Sequence, residues 1–289
     1  MMDKKIKKVL VLGSHGMLGN ALVRFLWQEN LDVTGTVSSV PGIDEILFQV
    51  LPESLLWDLK RIIGWCTYDY IINCIWTIRP NDTKDEIYDT FFVNSYFPQI
   101  LWMLCTENGI KCIHISTDCV FSWDKWMYGD NDLPDEVGIY GMSKFLWEIH
   151  QTWHLTIRTS IIGHELWDNS KNLLGWFLRN PDWSQITWYS WVYWNGITTL
   201  TLSQIIGRII TKDFVFTSGL IQIGSKKIDK YNLLLLLKKE YEKDITIVAS
   251  DSIKSNKTIV PSKEQQYFSD LILPLNEQIH QLATFYHHA

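Results

Sequence analysis

The sequence predicts an α/β fold, a doubly wound parallel sheet with a smaller C-terminal lobe interwoven with it. Three observations point there. A β-branched and leucine run, Lys8 to Leu12, ends in a glycine loop and is followed by apolar residues at helical spacing. Short apolar runs then alternate with helical patterns to about residue 165, the rhythm of a sheet covered by helices on both faces. Beyond it comes a polar, tryptophan-rich stretch, Trp167 to Asn195, where the rhythm loosens as in an insertion or second lobe.

Taken in order, Lys8 to Leu12 reads as a buried parallel strand. Met17, Leu18, Ala21, Leu22, Phe25 and Leu26 then predict a helix to about Glu29, and Asp32 to Val37 a second strand, which completes one βαβ unit. Ile46 to Val50, Tyr70 to Asn73 and Lys111 to Thr117 read as further strands, with helices near Leu55 to Ile63 and Asn94 to Asn108. After the loosened stretch, which holds one helical candidate at Asn172 to Arg179, helices are expected at Thr199 to Lys212, Lys230 to Lys239 and Asn276 to Phe285. Strands are expected at Leu220 to Ile223 and Ile245 to Ala249. The division is a dinucleotide-binding unit over 1–165 and a mixed α/β substrate-binding lobe over 166–289.

Composition excludes several function classes. With 46% hydrophobic residues over 289, the chain can build a sizeable core. Its net charge of -6 lacks the positive field that phosphate-backbone binding relies on, so nucleic acid is not an expected partner. Five cysteines (Cys66, Cys74, Cys105, Cys112, Cys119) show no C-x-x-C spacing, which points away from disulfides and zinc and toward a reducing, cytoplasmic setting. The basic start, Met1 to Lys8, precedes an apolar run too short for a signal peptide, and no stretch is long enough to span a bilayer. His164-Glu165 lacks the second histidine of a zinc helix, and no metal site is expected.

The chemistry begins at Gly13-Ser-His-Gly16-Met-Leu-Gly19, between a strand and a helix. Glycines there let the backbone turn sharply and approach a pyrophosphate, while the helix start at Met17 and Leu18 offers free N–H groups. His15 stands at an x position of the pattern, where it could touch a phosphate. The fold expected is therefore of the Rossmann type.

A second anchor is Tyr140-Gly-Met-Ser-Lys144, whose spacing of four puts both side chains on one helix face. A lysine ammonium near a phenol lowers its pKa, which suits proton donation to a carbonyl during hydride transfer. Upstream, Ser116 or Thr117 at a strand end could hydrogen-bond the same carbonyl, and Asp118 could receive a sugar hydroxyl.

In this combination the chain resembles the extended short-chain dehydrogenase/reductases, and within them the nucleotide-sugar reductases of the dTDP-4-dehydrorhamnose reductase type. The resemblance covers about the first 160 residues. It rests on the glycine loop, Tyr70-Ile-Ile-Asn-Cys74, Val93-Asn94, Ser116 to Phe121, Tyr140 to Lys144 with Glu148, and Ile157-Arg-Thr-Ser160; Trp194 to Thr199 also looks like a segment of such enzymes. It implies Thr117, Tyr140 and Lys144 as the catalytic set, with Lys144 also holding the nicotinamide ribose. It further implies Cys74, Ile75 and Asn94 beside the cofactor, NADP(H) or NAD(H), and a nucleotide-linked 4-keto sugar bound with Ser116 and Asp118. Val33 to Ser39 carries neither the acid of an NAD-selective site nor an arginine, so NADPH is expected to be somewhat favoured. A homodimer is allowed for. The same fold also serves nucleotide-sugar epimerases, dehydratases and a non-catalytic dinucleotide-binding regulatory subunit; the intact Tyr140/Lys144 pair favours catalysis.

The departures from the family pattern are of one kind. Trp123, Trp126 and Trp147 stand where relatives have glycine, Trp188 looks similar, and Trp176 and Trp194 look native. The expectation is a gene whose UGA codons mean glycine, translated with a table that makes them tryptophan.

Overall fold

The computed structural model describes residues 6–78, 83–148, 150–151, 153–166, 172–214 and 219–287. Most of the basic start and the segment 167–171 of the loosened stretch lie outside the described residues. The chain runs β1 (Lys8–Leu12), α1 (Met17–Gln28), β2 (Asp32–Val37), β3 (Glu45–Leu47), α2 (Leu55–Trp65), β4 (Tyr70–Asn73) and α3 (Lys84–Phe91). A π-helical turn, Phe92–Tyr96, leads into α4 (Phe97–Glu107), β5 (Lys111–Thr117), α5 (Ile139–Phe145), β6 (Leu155–Thr159) and β7 (Ile161–Ile162). Then come α6 (Leu173–Arg179), β8 (Gln185–Trp194), β9 (Ile197–Thr198), α7 (Thr199–Lys212), β10 (Leu220–Gln222) and β11 (Ile228–Asp229). The last elements are α8 (Lys230–Glu240), β12 (Thr246–Lys257) and α9 (Leu275–His287).

Seven parallel strands form the main sheet in the order β10-β6-β5-β4-β1-β2-β3. Its central strands β1 and β4 are largely apolar because helices cover both faces: Leu18, Leu22 and Leu26 of α1 with Ile205 and Ile209 of α7 on one, Leu59 and Ile62 of α2 with Leu101 and Leu104 of α4 on the other. The strand order reverses between β1 and β4, which opens a crevice at the carboxyl ends of those strands. This is the doubly wound, Rossmann-like sheet the sequence predicts.

A second core gathers Leu174, Phe177, Leu233, Leu237, Ile279 and Leu282 beside a three-stranded sheet ordered β11-β8-β12. Here the structure departs from expectation. The stretch read as irregular contains β8, ten residues paired along β12, which itself runs well past the expected Ala249. α3 was not expected, and the single helix read over Asn94 to Asn108 is a π turn followed by α4.

Two tryptophans occupy backbone suited to glycine: Trp123 at φ +71° and Trp183 at φ +67°. Trp126 is largely exposed, whereas Trp188 stacks on Trp176 with ring centroids 4.6 Å apart.

Candidate active site

β1 ends at Gly13, which turns at φ +81°; its N–H donates to Thr36 Oγ1 (3.1 Å), and the Ser14 N–H donates to the Thr36 carbonyl (2.9 Å), so the loop is stitched to the end of β2. The glycine spacing follows from close approach. A Cβ at Gly19 would stand 2.1 Å from the Gly13 carbonyl oxygen, and one at Gly13 would stand 2.9 Å from Ile75 Cγ1. α1 starts immediately after Gly16, with no acidic residue and no side-chain cap in its first turn, so its N–H groups stay available for an anion. They face a cleft of about 580 Å³ whose walls include Gly13, His15, Gly16, Met17, Cys74 and Ile75. Leu18 is wholly buried and can contribute only its backbone.

Asn94, expected beside the cofactor, has a different task. It is buried, accepts from Thr77 N–H (2.9 Å), and donates to the Thr77 carbonyl (2.9 Å) and Ser143 Oγ (3.0 Å), so it clamps the segment after β4 onto α5. Asn73 does similar work one step earlier, accepting from Ile75 N–H (3.0 Å). Burial pushes the Cys74 thiol far above its usual range, so it stays protonated.

A smaller cleft of about 190 Å³ shares Met17 and Trp76 with the first, and Thr117, Asp118, Tyr140 and Lys144 meet there. α5 is set close against the turn after β5: a Cβ at Gly141 would lie 2.1 Å from the Cys119 carbonyl oxygen, which is why glycine follows Tyr140. One turn on, Lys144 is 1% exposed and donates from Nζ to the Ile115 carbonyl (2.6 Å). Burial brings its pKa down to about 7, against the opposing pull of Glu148.

The expected lowering of the tyrosine by the lysine is not what the geometry gives. Burial raises the Tyr140 phenol above its ordinary value, the Asp118 carboxylate pushes the same way, and only the Thr117 hydroxyl favours the phenolate. The Lys144 ammonium is directed at β5 instead. Tyr140 is therefore held as an acid, the form that gives a proton away.

Ser116, expected to touch substrate, commits its hydroxyl hydrogen to Glu148 Oε1 (2.6 Å) and shows the cleft only an oxygen acceptor. Glu148 is in turn gripped by Arg158 from β6, through Nε (2.7 Å) and a terminal nitrogen (2.5 Å). Burial raises the Asp118 pKa, offset by a hydrogen bond from Thr117 (3.1 Å to Oδ1) and by the charges of Lys230 and Lys257. Those two lysines, from the start of α8 and the end of β12, escaped the sequence reading because neither motif nor spacing ties them to β5. Lys230 lies over the Trp194 ring at 5.3 Å, and the Trp194 indole donates to Ser160 Oγ (2.7 Å). Glu45 was also missed: its carboxylate meets His15 Nε2 at 2.8 Å.

Among the described residues no three His, Cys, Asp or Glu side chains gather as a metal-binding group, and no helix is long and apolar enough to cross a membrane.

Comparison with known proteins gives the chain a family and a fold. The family model described as the RmlD substrate binding domain matches residues 7–182. The chain is similar to a probable low-salt glycan biosynthesis reductase of Haloferax volcanii, 30% identical over 143 residues, 48% of this chain and 46% of that protein. It is similar also to a spore coat polysaccharide biosynthesis protein of Bacillus subtilis, 27% identical over 161 residues, 55% of this chain and 53% of that protein. The chain thus spans about half the length of the curated relatives it matches. In fold it resembles the dTDP-4-dehydrorhamnose reductase of Bacillus anthracis solved in complex with NADP, with a TM-score of 0.77 at 17% identity, covering 96% of this chain and 99% of that one.

Proposed function

The chain belongs to the RmlD substrate binding domain family, and we propose that it is a cytoplasmic NAD(P)H-dependent reductase of a nucleotide-activated 4-keto-deoxysugar, used in building surface polysaccharide. The observation that carries this is the meeting of Thr117, Tyr140 and Lys144 in a cleft contiguous with the glycine-loop cleft. The larger cleft fits a dinucleotide, because the close approaches at Gly13 and Gly19 leave room for backbone alone and the helix start behind them is uncapped. When bound, the reduced nicotinamide supplies the hydride.

This chain's residues do the rest. The Gly13 to Gly16 loop and the N–H groups of Met17 and Leu18 hold the pyrophosphate, Cys74 and Ile75 wall the cofactor, and Lys144, with one N–H on the Ile115 carbonyl, offers its remaining donors to the nicotinamide ribose. Tyr140, kept protonated by burial, gives its proton to the C4 oxygen, and the Thr117 hydroxyl rotates from Asp118 to hydrogen-bond that same oxygen. Asp118 receives a sugar hydroxyl, while Lys230 and Lys257 present positive charge to the substrate's diphosphate. Ser38 and Ser39 at the end of β2 offer hydroxyls rather than a carboxylate to the adenosine ribose, which supports NADPH as the somewhat favoured cofactor.

The test is consumption of NADPH and NADH by the purified protein against a panel of nucleotide-linked 4-keto sugars. Turnover confined to such sugars is the expected result. Tight cofactor binding with no turnover of any member would overturn the enzymatic proposal in favour of a regulatory subunit.

A further inference from the structure

We infer that Glu45, acting through His15, restrains how tightly the glycine-loop cleft takes a phosphate on the adenosine ribose, and so keeps the choice between NADPH and NADH modest. The inference rests on the proposal that this cleft holds a dinucleotide. A carboxylate that reads this position is commonly sought at the end of the second strand, where Val37, Ser38 and Ser39 carry none. The structure brings one in from the third strand. β2 and β3 pair with Gly35 opposite Glu45, and Gly35 leaves open the path between Glu45 and the loop. A Cβ there would stand 2.7 Å from Ser14 Cβ and Oγ and 3.8 Å from Glu45 Cγ.

Across that gap Glu45 Oε1 meets His15 Nε2 at 2.8 Å and accepts from Ser14 Oγ at 3.4 Å, while Oε2 accepts from the Gly42 N–H at 2.8 Å. The carboxylate is thus fixed at both oxygens, and its side chain is only 17% exposed, so solvent screens it incompletely. His15 stands on the cleft wall with Ser38 and Ser39, and among the described residues that wall holds neither lysine nor arginine. Arg61, in the adjoining hollow that Glu45 also lines, is engaged with Asp58 at 3.4 Å.

His15 is therefore the side chain on that wall that can turn a ring N–H to a phosphate, and Glu45 both competes for its Nε2 and repels the incoming anion. Glu45→Gln keeps an acceptor for Gly42 and removes the charge; His15→Gln removes the imidazole and leaves the carboxylate. The experiment is calorimetric titration of the full chain and both variants with 2′,5′-ADP and with 5′-AMP, which differ only in the 2′-phosphate. Glu45→Gln should bind 2′,5′-ADP about tenfold more tightly with under about twofold change for 5′-AMP, and His15→Gln should weaken 2′,5′-ADP about tenfold more than it weakens 5′-AMP. Equal shifts for the two ligands, or none in either variant, would overturn the inference while leaving the dinucleotide cleft intact. Failure of the unaltered chain to bind either ligand would overturn the cleft's proposed role as well.

Discussion

Glu148 and Arg158 form a salt bridge with side chains 0% and 1% exposed, and cutting it from one side should cost far more than removing it whole. The guanidinium donates twice to the carboxylate, keeps one long contact to Gln222 Oε1 (3.4 Å), and lies over the Phe121 ring at 5.1 Å. The carboxylate also takes the Ser116 hydroxyl. Glu148→Ala would leave a buried cation with a single weak acceptor, and Arg158→Met a buried anion with one hydroxyl, each costing about 3–5 kcal/mol. Against a total stability of about 5–15 kcal/mol either loss is severe. The double variant Glu148→Ala/Arg158→Met buries no charge and should come within about 3 kcal/mol of the unaltered chain, giving a coupling of about 3 kcal/mol or more. Urea unfolding of the four proteins measures it. Additive losses, or a Glu148→Ala loss under about 1 kcal/mol, would refute the claim that this pair holds β5, β6 and the end of α5 together beneath Lys144.

Two other outcomes follow from buried charge and backbone geometry. Lys144 has its pKa brought down to about 7 from an ordinary value of 10.5, so the folded state bears the cost of the buried ammonium most fully below pH 7 and sheds it as pH rises toward 10.5. Lys144→Met should therefore stabilise the cofactor-free protein by on the order of a few kcal/mol below neutral pH, with the advantage fading toward pH 10.5; a pH-independent difference in thermal melts would contradict this. Trp183 is 87% exposed at positive φ, so Trp183→Gly should gain roughly 1 kcal/mol by relieving left-handed strain without losing packing, read from urea melts. In the gene, Trp123, Trp126 and Trp147 should be UGA, with Trp176 and Trp194 UGG; fifteen UGG codons would refute the glycine assignment.

What the sequence discloses follows the range of the interactions. The strands β1 and β4 announce themselves as short apolar runs because both faces of the sheet are covered. The glycine loop and the Tyr140/Lys144 spacing are legible because one turn of chain imposes them. α3 begins with a legible local signal that went unused: Thr83 Oγ1 accepts from the Glu86 N–H, and Glu86 Oε2 answers the Thr83 hydroxyl at 2.6 Å. β8 was hidden by its partner, since its residues are only partly buried and its pairing with β12 spans some sixty residues of sequence. Glu45, Lys230 and Lys257 share that difficulty, reaching the clefts by strand register and lobe packing rather than by any spacing within a motif.

The central claim is that Tyr140 is the acid of a reduction, and Tyr140→Phe tests it most directly, with kcat for a nucleotide-linked 4-keto sugar measured beside the Kd of NADPH. The phenol is held protonated by burial and stands by Thr117 in the smaller cleft, away from the glycine loop. Loss of the proton alone should lower kcat by about a hundredfold or more while the Kd of NADPH stays within about twofold. Turnover close to that of the unaltered chain would contradict the account.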